Sequence, residues 1–282
     1  MRLGRVGLRV VNGGDFRLDG GAMHGVVPKT LWGRLVPCDE RNRVPYSTAC
    51  LLVETAGRRV LVETGNGDKL TPRQRDIYGI AHEESIITAL AAVGVAPETI
   101  DLVVLTHLHF DHAGGATRRA GRELVPTFPR ARHVVQRREL QDALHPHERN
   151  RASYLPENIL PLLEHRVLEE VEGEVEVAPG VRVVPTPGHT AGHQSVLIDG
   201  GDGCRALFLG DVVPTAVHVP LPYIMAYDLE PVVTLETKRA LFARALAEGW
   251  LLVFGHDHAH QAATLRADEA DRPMVGDYVR IE

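Results

Sequence analysis

Short runs of apolar and β-branched residues recur along the chain, and several of them end just before a histidine or an acidic residue. Runs of roughly four to eight such residues are typical of strands in a sheet that is covered on both faces. Between the runs lie longer stretches whose apolar residues recur every three or four positions, which is the spacing of a helix with one buried face. The pattern therefore predicts an α/β fold.

Strands dominate the N-terminal part of the pattern. The first residues, to about 60, are predicted to be strands with turns at Gly13-Gly14-Asp15 and Asp19-Gly20-Gly21. A hairpin is predicted around Ala56-Gly57, with its strands at 51–54 and 59–62. Further strands are predicted at 101–106, 131–135, 181–184, 206–209 and 251–254.

Two helices are indicated by apolar residues on one face and a glycine near the end. One is predicted between Glu83 and Gly94, and the other from about Thr234 to Glu248. Strands and helices alternate in two halves of the chain, which predicts a four-layer αββα sandwich. No linker, repeat or low-complexity run interrupts the chain, so we expect one domain over residues 1–282.

Two segments are expected to form the walls of a pocket. Residues 140–164 carry prolines and histidines in a long connection, and we predict that they form a lid; a pair of helices that only provides cover is the alternative. The loop 212–228 is apolar enough to contact the hydrophobic part of a substrate. The side chains that we expect to contact a substrate are Phe110, Tyr223, Met225 and Tyr227.

The run from Thr106 to Gly115 contains four potential metal ligands within six residues: His107, His109, Asp111 and His112. Burying such polar groups is unfavourable unless they are paired or bind a metal. Neutral imidazole and carboxylate groups bind zinc at roughly 2.0–2.2 Å. In a tight loop the first two histidines can point the same way while the other two ligands lie beyond them. This spacing favours two adjacent metals over one.

Three more candidate ligands follow predicted strands elsewhere in the chain: His189, Asp211 and His256. Ligands at the carboxyl ends of strands are expected to converge at one edge of the sheets. Other histidines are interpreted differently. His193 is predicted to form local hydrogen bonds, and His258 and His260 are predicted to face solvent or to lie behind the ligands because they are further from a strand end.

These motifs together resemble those of the metallo-β-lactamase superfamily of dinuclear hydrolases. The resemblance rests on the run 107–112, Pro187-Gly188-His189-Thr190, Gly210-Asp211 and Gly255-His256, and it extends over the whole chain. Within the superfamily the lactonase branch is the most similar, and organophosphate hydrolases also resemble this pattern. The two ligand sets that the resemblance implies, joined by a bridging Asp211, are His107, His109 and His189 for one metal and Asp111, His112 and His256 for the other.

Three positions bear on where this chain lies within the superfamily: Asp211, which fits the pattern, and Pro214 and Glu63, which depart from it. True β-lactamases are similar but lack the bridging aspartate that Asp211 supplies. N-acyl-homoserine lactonases usually have a tyrosine three residues after that aspartate, where this chain has Pro214. Tyr223 or Tyr227 can offer a hydroxyl from another backbone position, and packing under the loop is the alternative. Glu63 stands where the superfamily usually has an aspartate that orients a ligand histidine, and we expect the longer side chain to do the same.

Composition excludes several other classes of protein. The net charge of −6 disfavours tight nonspecific binding to nucleic acid. No apolar run approaches the roughly 18 residues of a membrane span, and the first residues lack the apolar core of a signal peptide. We therefore expect a soluble, cytoplasmic protein without a membrane partner. Its three cysteines lack CxxC spacing, so they are predicted to be small buried residues rather than disulfides or zinc ligands.

The ligand set predicts a hydrolase. A hydroxide shared by two divalent metals, with zinc as the first choice and Fe, Mn or Co as options, would be the nucleophile because metals lower the pKa of bound water to about 7. Asp111 is expected to return a proton to the leaving oxygen. The expected substrate is a small carboxylic ester or lactone, and a homodimer is compatible with the sequence.

Other functions remain open at this point. Phosphotriesters are one alternative substrate class. Thioester hydrolysis in the manner of glyoxalase II uses the same ligands, but that family normally has a further C-terminal helical domain, and only about 22 residues follow His260 here. An iron-dependent persulfide dioxygenase resembles the motif but holds one iron. A metal-binding protein without enzymatic activity is the remaining hypothesis.

Overall fold

The protein is represented by a computed structural model that describes residues 1–80 and 85–282. Strands account for most of its regular structure. In chain order they are β1 Arg2–Leu3, β2 Val6–Asp19, β3 Arg43–Thr55, β4 Arg58–Val62, β5 Leu102–Val104, β6 Thr117–Ala120, β7 Glu123–Pro126, β8 Arg132–Gln136, β9 Leu168–Val171, β10 Val175–Ala178, β11 Val181–Pro185, β12 Gln194–Asp199, β13 Arg205–Phe208, β14 Leu251–Val253, β15 Ala262–Ala267 and β16 Pro273–Val279.

The helices are mostly short. They are α1 Gly20–His24, α2 Lys29–Trp32, α3 Pro72–Ile77, α4 Ile86–Ala92, α5 Phe110–Ala113, α6 Arg137–Leu144, α7 Pro156–Glu164 and α8 Pro231–Glu248. Single turns of 3-10 helix occur at Pro97–Thr99, Gly114–Ala116, Gly210–Val212 and Ala216–His218.

Two seven-stranded sheets pack against each other through a shared apolar core. The first has the strand order β1-β2-β3-β4-β5-β8-β9, and the second runs from β10 to β16 in chain order. Leu51 and Val53 of β3 point into the core between the sheets, while Cys50 and Leu52 point to the opposite side. Burial on both faces explains why the strand reads as a continuous apolar run in the sequence.

Helices cover the outer face of each sheet. On the first sheet, Ile86 and Leu90 of α4 and Ile159 of α7 belong to the outer apolar cluster. On the second sheet, Leu241 and Phe242 of α8 pack against the strands. The layers are therefore helix, sheet, sheet and helix, which confirms the predicted αββα sandwich.

Several local predictions differ from the structure. Gly13-Gly14-Asp15 does not form a turn but a bulge within the long strand β2, where the register shifts against β3. Asp19 ends that strand and caps α1, with its carboxylate accepting a hydrogen bond from Ala22 N. Cys204 is exposed, because it lies in the connection before β13 rather than inside a strand.

The two predicted helices are present, with shifted starts. Helix α8 begins at Pro231 rather than at Thr234, because a proline is compatible with the first helical position, where its missing N–H is not needed. Helix α4 is described from Ile86, and its predicted start at Glu83 lies outside the described residues. No helix in the described ranges is long and apolar enough to cross a membrane.

Strand directions bring the chemistry to one edge of the sandwich. β4 and β5 are parallel in the first sheet, and β13 and β14 are parallel in the second. Backbone hydrogen bonds join the two sheets beside these strand ends, from Gln194 N to Thr106 O at 2.9 Å and from Ala49 N to Gly255 O at 2.8 Å. The residues that directly follow the four strands are thus held close together.

Candidate metal centre

Seven histidine and aspartate side chains converge at this edge, and none of them is more than 8% exposed. The loop after β5 and the short helix α5 supply four of them, and the connections after β11, β13 and β14 supply one each. They are the residues implied by the resemblance: His107, His109, Asp111, His112, His189, Asp211 and His256.

Three histidines form the first group. His109 Nδ1 lies 3.1 Å from His107 Nε2 and 3.1 Å from His189 Nε2. One ligand atom from each residue can be chosen so that all three lie within 4.8 Å of one another. Three imidazole nitrogens at these separations can surround one divalent ion.

The second group combines two histidines with a carboxylate. His112 Nε2 and His256 Nε2 are 3.0 Å apart. Asp111 Oδ2 lies 3.6 Å from His256 Nε2 and 3.8 Å from His112 Nε2. One ligand atom from each of these three residues again lies within 4.8 Å of the other two, and the two kinds of donor suit a second divalent ion.

Asp211 lies between the two groups and directs one oxygen toward each. Its Oδ2 is 3.3 Å from His189 Nε2 and 4.0 Å from His107 Nε2. Its Oδ1 is 3.1 Å from His256 Nε2 and 3.4 Å from His112 Nε2. The carboxylate is thus in contact distance of both triads.

The second nitrogen of three candidate ligand histidines has an acceptor partner. His112 Nδ1 donates to Glu63 Oε2 at 2.5 Å, and His189 Nδ1 donates to Asp228 Oδ1 at 2.9 Å. His256 Nδ1 donates to the carbonyl oxygen of Ser47 at 2.9 Å. With the proton held on Nδ1, each neutral ring presents the lone pair of Nε2 to the site.

The directions of these lone pairs show whether a metal suits the site. Those of His112 and His256 point at each other across 3.0 Å, beside the oxygen of Asp211. Asp211 Oδ1 accepts no hydrogen bond from residues 1–80 or 85–282. Crowded lone pairs repel unless positive charge lies between them, so the donor set fits divalent cations.

Electrostatics in the site also favour bound positive charge. Burial lowers the pKa of His107 and His109 well below 6.5, so these rings are neutral. Burial opposes the charged form of His112 as well, but Asp211 and Glu63 outweigh it and raise its pKa well above 6.5. A proton and a metal ion therefore compete for the same place beside these carboxylates.

Glu63 is held in an unusual backbone conformation directly after β4. Its φ is +68°, which is uncommon for a residue with a side chain. The carboxylate accepts from Thr106 N at 2.6 Å as well as from His112. It therefore ties the end of β4 to the loop after β5, and the contact expected between this carboxylate and a candidate ligand histidine is present.

The backbone before Asp211 needs a glycine. Gly210 has φ +59°, and a Cβ there would lie 2.6 Å from His193 Nε2. That nitrogen accepts a hydrogen bond from Asp211 N at 3.0 Å, while His193 Nδ1 donates to Thr186. His193 thus supports the aspartate through hydrogen bonds, as predicted. His258 is exposed and His260 is partly exposed.

A pocket of about 200 Å³ opens onto the centre. Phe110, Met225 and Tyr227, three of the four expected substrate contacts, line it. Tyr223 lies elsewhere among the described residues: its ring packs edge-on against His24, and its carbonyl oxygen accepts from Lys238. Tyr227 directly precedes Asp228, which is bonded to His189, and this position places it at the pocket.

Sequence reasoning did not identify several residues of the site. Tyr78 stacks on Phe110 with ring centroids 4.4 Å apart. Arg149 and Asn150 come from the segment 140–164, which thereby forms part of the wall, and Asp228 orients His189. None of these residues directly follows a strand or lies in a recognisable motif, so the local sequence pattern does not indicate a role for them.

Comparison with known proteins agrees with this geometry. A family model of the metallo-beta-lactamase superfamily matches residues 43–256. An N-acyl homoserine lactonase from a Bacillus species is 32% identical over 220 residues, which cover 74% of this chain and 80% of that protein.

Solved structures are similar as well. A probable metal-dependent hydrolase from Staphylococcus aureus has a TM-score of 0.91 and 31% identity, covering 100% of this chain and 99% of that one. An N-acyl homoserine lactone hydrolase with the product N-hexanoyl-L-homoserine at its catalytic metal center has a TM-score of 0.69 and 27% identity, covering 92% of this chain and 95% of that one. Since the family model spans most of the chain and the expected ligands converge in one buried centre, this protein belongs to the metallo-beta-lactamase superfamily and is a metal-dependent hydrolase.

Proposed function

We propose that the protein hydrolyses carboxylic esters, lactones in particular, with two divalent metal ions that share the carboxylate of Asp211. The position of that carboxylate carries the proposal: one oxygen is 3.3 Å from His189 Nε2 and the other is 3.1 Å from His256 Nε2. A single ion needs only one of the two groups of ligands. A carboxylate with one oxygen toward each group is what a bridging ligand requires.

Zinc is the metal that we propose first. Five imidazoles and two carboxylates are donors that zinc accepts, although iron, manganese and cobalt accept them too. When bound, such ions lower the pKa of a shared water to about 7 and polarise the substrate oxygen that they contact. The remaining tasks fall to the side chains of this chain.

We assign the proton transfer to Asp111. Its carboxylate lies 3.6 Å from His256 Nε2, lines the pocket and is 8% exposed. It can therefore accept a proton at the centre and deliver it to the alkoxide oxygen that leaves the acyl carbon. Neither a serine nor a cysteine nucleophile is required by this scheme.

The pocket supports a small acyl substrate. Phe110 and Met225 provide apolar walls, and Tyr227, 39% exposed, presents its phenol at the same cavity. We propose that this hydroxyl donates to the substrate carbonyl, which Pro214 cannot do. Lactones rank first because named relatives of this chain are N-acyl homoserine lactonases. Residues 140–164 are proposed to cover the bound substrate.

A substrate panel tests the proposal. Metal-loaded enzyme is assayed with lactones, aryl esters, thioesters and phosphotriesters, beside Asp211→Ala and the exposed control Asp202→Ala. We expect lactone or ester hydrolysis that Asp211→Ala loses by at least about a hundredfold, the scale of removing a key electrostatic group, and that Asp202→Ala retains. Turnover confined to thioesters or phosphotriesters would reject the proposed substrate class.

A further inference from the structure

A second, larger cavity lies beside the metal pocket. It is an open groove of about 1100 Å³ whose lining is mostly apolar. Its apolar lining residues include Leu221, Ile224, Val232, Leu235 and Met274. A groove of this size exceeds the metal pocket about fivefold in volume.

Four residues line both cavities: Arg149, Met225, Ala226 and Leu229. Because the two cavities are separate, these residues form the wall between them, which we call the partition. Met225 is 3% exposed and fills its interior. Arg149 comes from the opposite side, from the connection between α6 and α7.

Arg149 holds the partition closed through its guanidinium group. Its Nη2 donates to the carbonyl oxygen of Ala226 at 2.7 Å and to that of Asp228 at 3.4 Å. The loop segment that it binds is also held by two backbone hydrogen bonds, from Ala226 N to Ala22 O and from Leu229 N to His189 O. The loop side of the partition therefore keeps its place without the arginine, whereas the other side is the Arg149 side chain itself and is lost when that side chain is truncated.

We propose that Arg149 is a specificity-determining residue: it limits the length of apolar chain that the metal pocket accepts by separating that pocket from the groove. This inference rests on the proposed function, since it concerns the acyl portion of the same substrate. With Arg149 truncated, an acyl chain that reaches the partition continues into the groove and buries further methylene groups. Substrates whose acyl chain ends within the metal pocket bind with the same affinity to both proteins.

Binding of linear alkanoates tests the inference independently of turnover. Calorimetry on the zinc-loaded enzyme measures the affinity of each alkanoate from butanoate to dodecanoate, whose carboxylates resemble the product of ester cleavage. Each methylene that becomes buried strengthens binding about fourfold, from about 0.8 kcal/mol per group. In the wild type this gain should stop at an intermediate length. In Arg149→Ala it should continue, so that dodecanoate binds at least about tenfold more tightly than to the wild type, while butanoate is unchanged.

Two variants serve as controls. Arg151→Ala removes a neighbouring exposed arginine that makes no side-chain hydrogen bond within the described residues, and it should keep the wild-type length limit. Arg149→Lys retains a long cationic side chain that can donate to Ala226 O, so it should restore most of the limit. Kinetics with esters of the same chain lengths should show a matching fall in KM for the long chains in Arg149→Ala.

Three outcomes would overturn the inference. One is a wild type without a length limit, whose affinity rises through dodecanoate as steeply as that of Arg149→Ala. A uniform loss of affinity at every length in Arg149→Ala would make the arginine only a structural tie. If no alkanoate binds either protein and no ester shows the chain-length shift, no apolar chain enters the pocket. Alkanoate binding with the predicted limit but without hydrolysis of any ester would instead reject the proposed function alone.

Discussion

Replacing Glu63 by glutamine should weaken metal binding although it removes no metal ligand. The carboxylate of Glu63 is 2% exposed and accepts two N–H groups, from His112 Nδ1 at 2.5 Å and from Thr106 N at 2.6 Å. An amide of the same size has one acceptor atom and one donor atom. One of the two N–H groups must then face another N–H group.

The conflict is relieved most easily at the histidine. His112 can move its proton from Nδ1 to Nε2, but Nε2 is the atom that lies 3.0 Å from His256 Nε2 within the ligand group. The proton then occupies the lone pair that should bind the metal. Loss of such an orienting partner weakens metal binding by about 10- to 100-fold, which corresponds to about 1.4 to 2.7 kcal/mol.

Competition with a chromogenic chelator measures this change directly. The dissociation constants of both metals are compared in the wild type, in Glu63→Gln and in Glu54→Gln, a control whose carboxylate is exposed and bonded to Arg59. We expect weakening at one of the two metals in Glu63→Gln only. Wild-type affinity for both metals in Glu63→Gln would refute the reasoning that the carboxylate fixes the tautomer of His112.

Three further predictions follow from other parts of the molecule. Asp228→Asn should weaken the metal bound by His189 by about 10- to 100-fold, for the same reason as at Glu63; chelator competition checks it, and unchanged affinity contradicts it. Burial lowers the pKa of His133 to about 4, so the unfolded chain binds more protons between pH 4 and 6.5 and stability should fall as the pH falls through that window. His133→Phe should remove up to about 3 kcal/mol of this dependence, as measured by denaturant unfolding at several pH values; identical slopes would contradict it. Chelation of the metals should lower the melting temperature, which added zinc restores, because ligands that bind only the folded state stabilise it; an unchanged melting temperature would show that the centre is empty or weak.

The convergence of the candidate ligands could be predicted because their signals are local. Four of them lie within six residues after β5, and Asp211 and His256 follow apolar runs that become the parallel strands β13 and β14. Burial on both faces of these strands forces apolar residues at every position, so the strand ends are visible in the sequence. Strand ends at one edge of a sheet then place the ligands together.

Other parts of the site depend on contacts that the sequence does not reveal. Asp228 meets His189 across 39 positions, and Arg149 meets Ala226 across 77, each from an irregular loop. Gly13-Gly14 predicts a turn, which is wrong, because pairing with β3 continues on both sides of these residues and makes them a bulge. Which of Tyr223 and Tyr227 lines the pocket likewise depends on the path of their loop, which the sequence does not reveal.

The number of metals that support activity tests the central claim most directly. Metal-free enzyme is titrated with zinc while bound metal and lactone or ester hydrolysis are both followed, for the wild type and for Asp211→Ala. We predict that the wild type reaches full activity only at two equivalents per chain, and that Asp211→Ala retains fewer than two metals and does not hydrolyse the substrate. Full activity at one equivalent, or an active Asp211→Ala enzyme, would contradict a centre in which that carboxylate joins two metals.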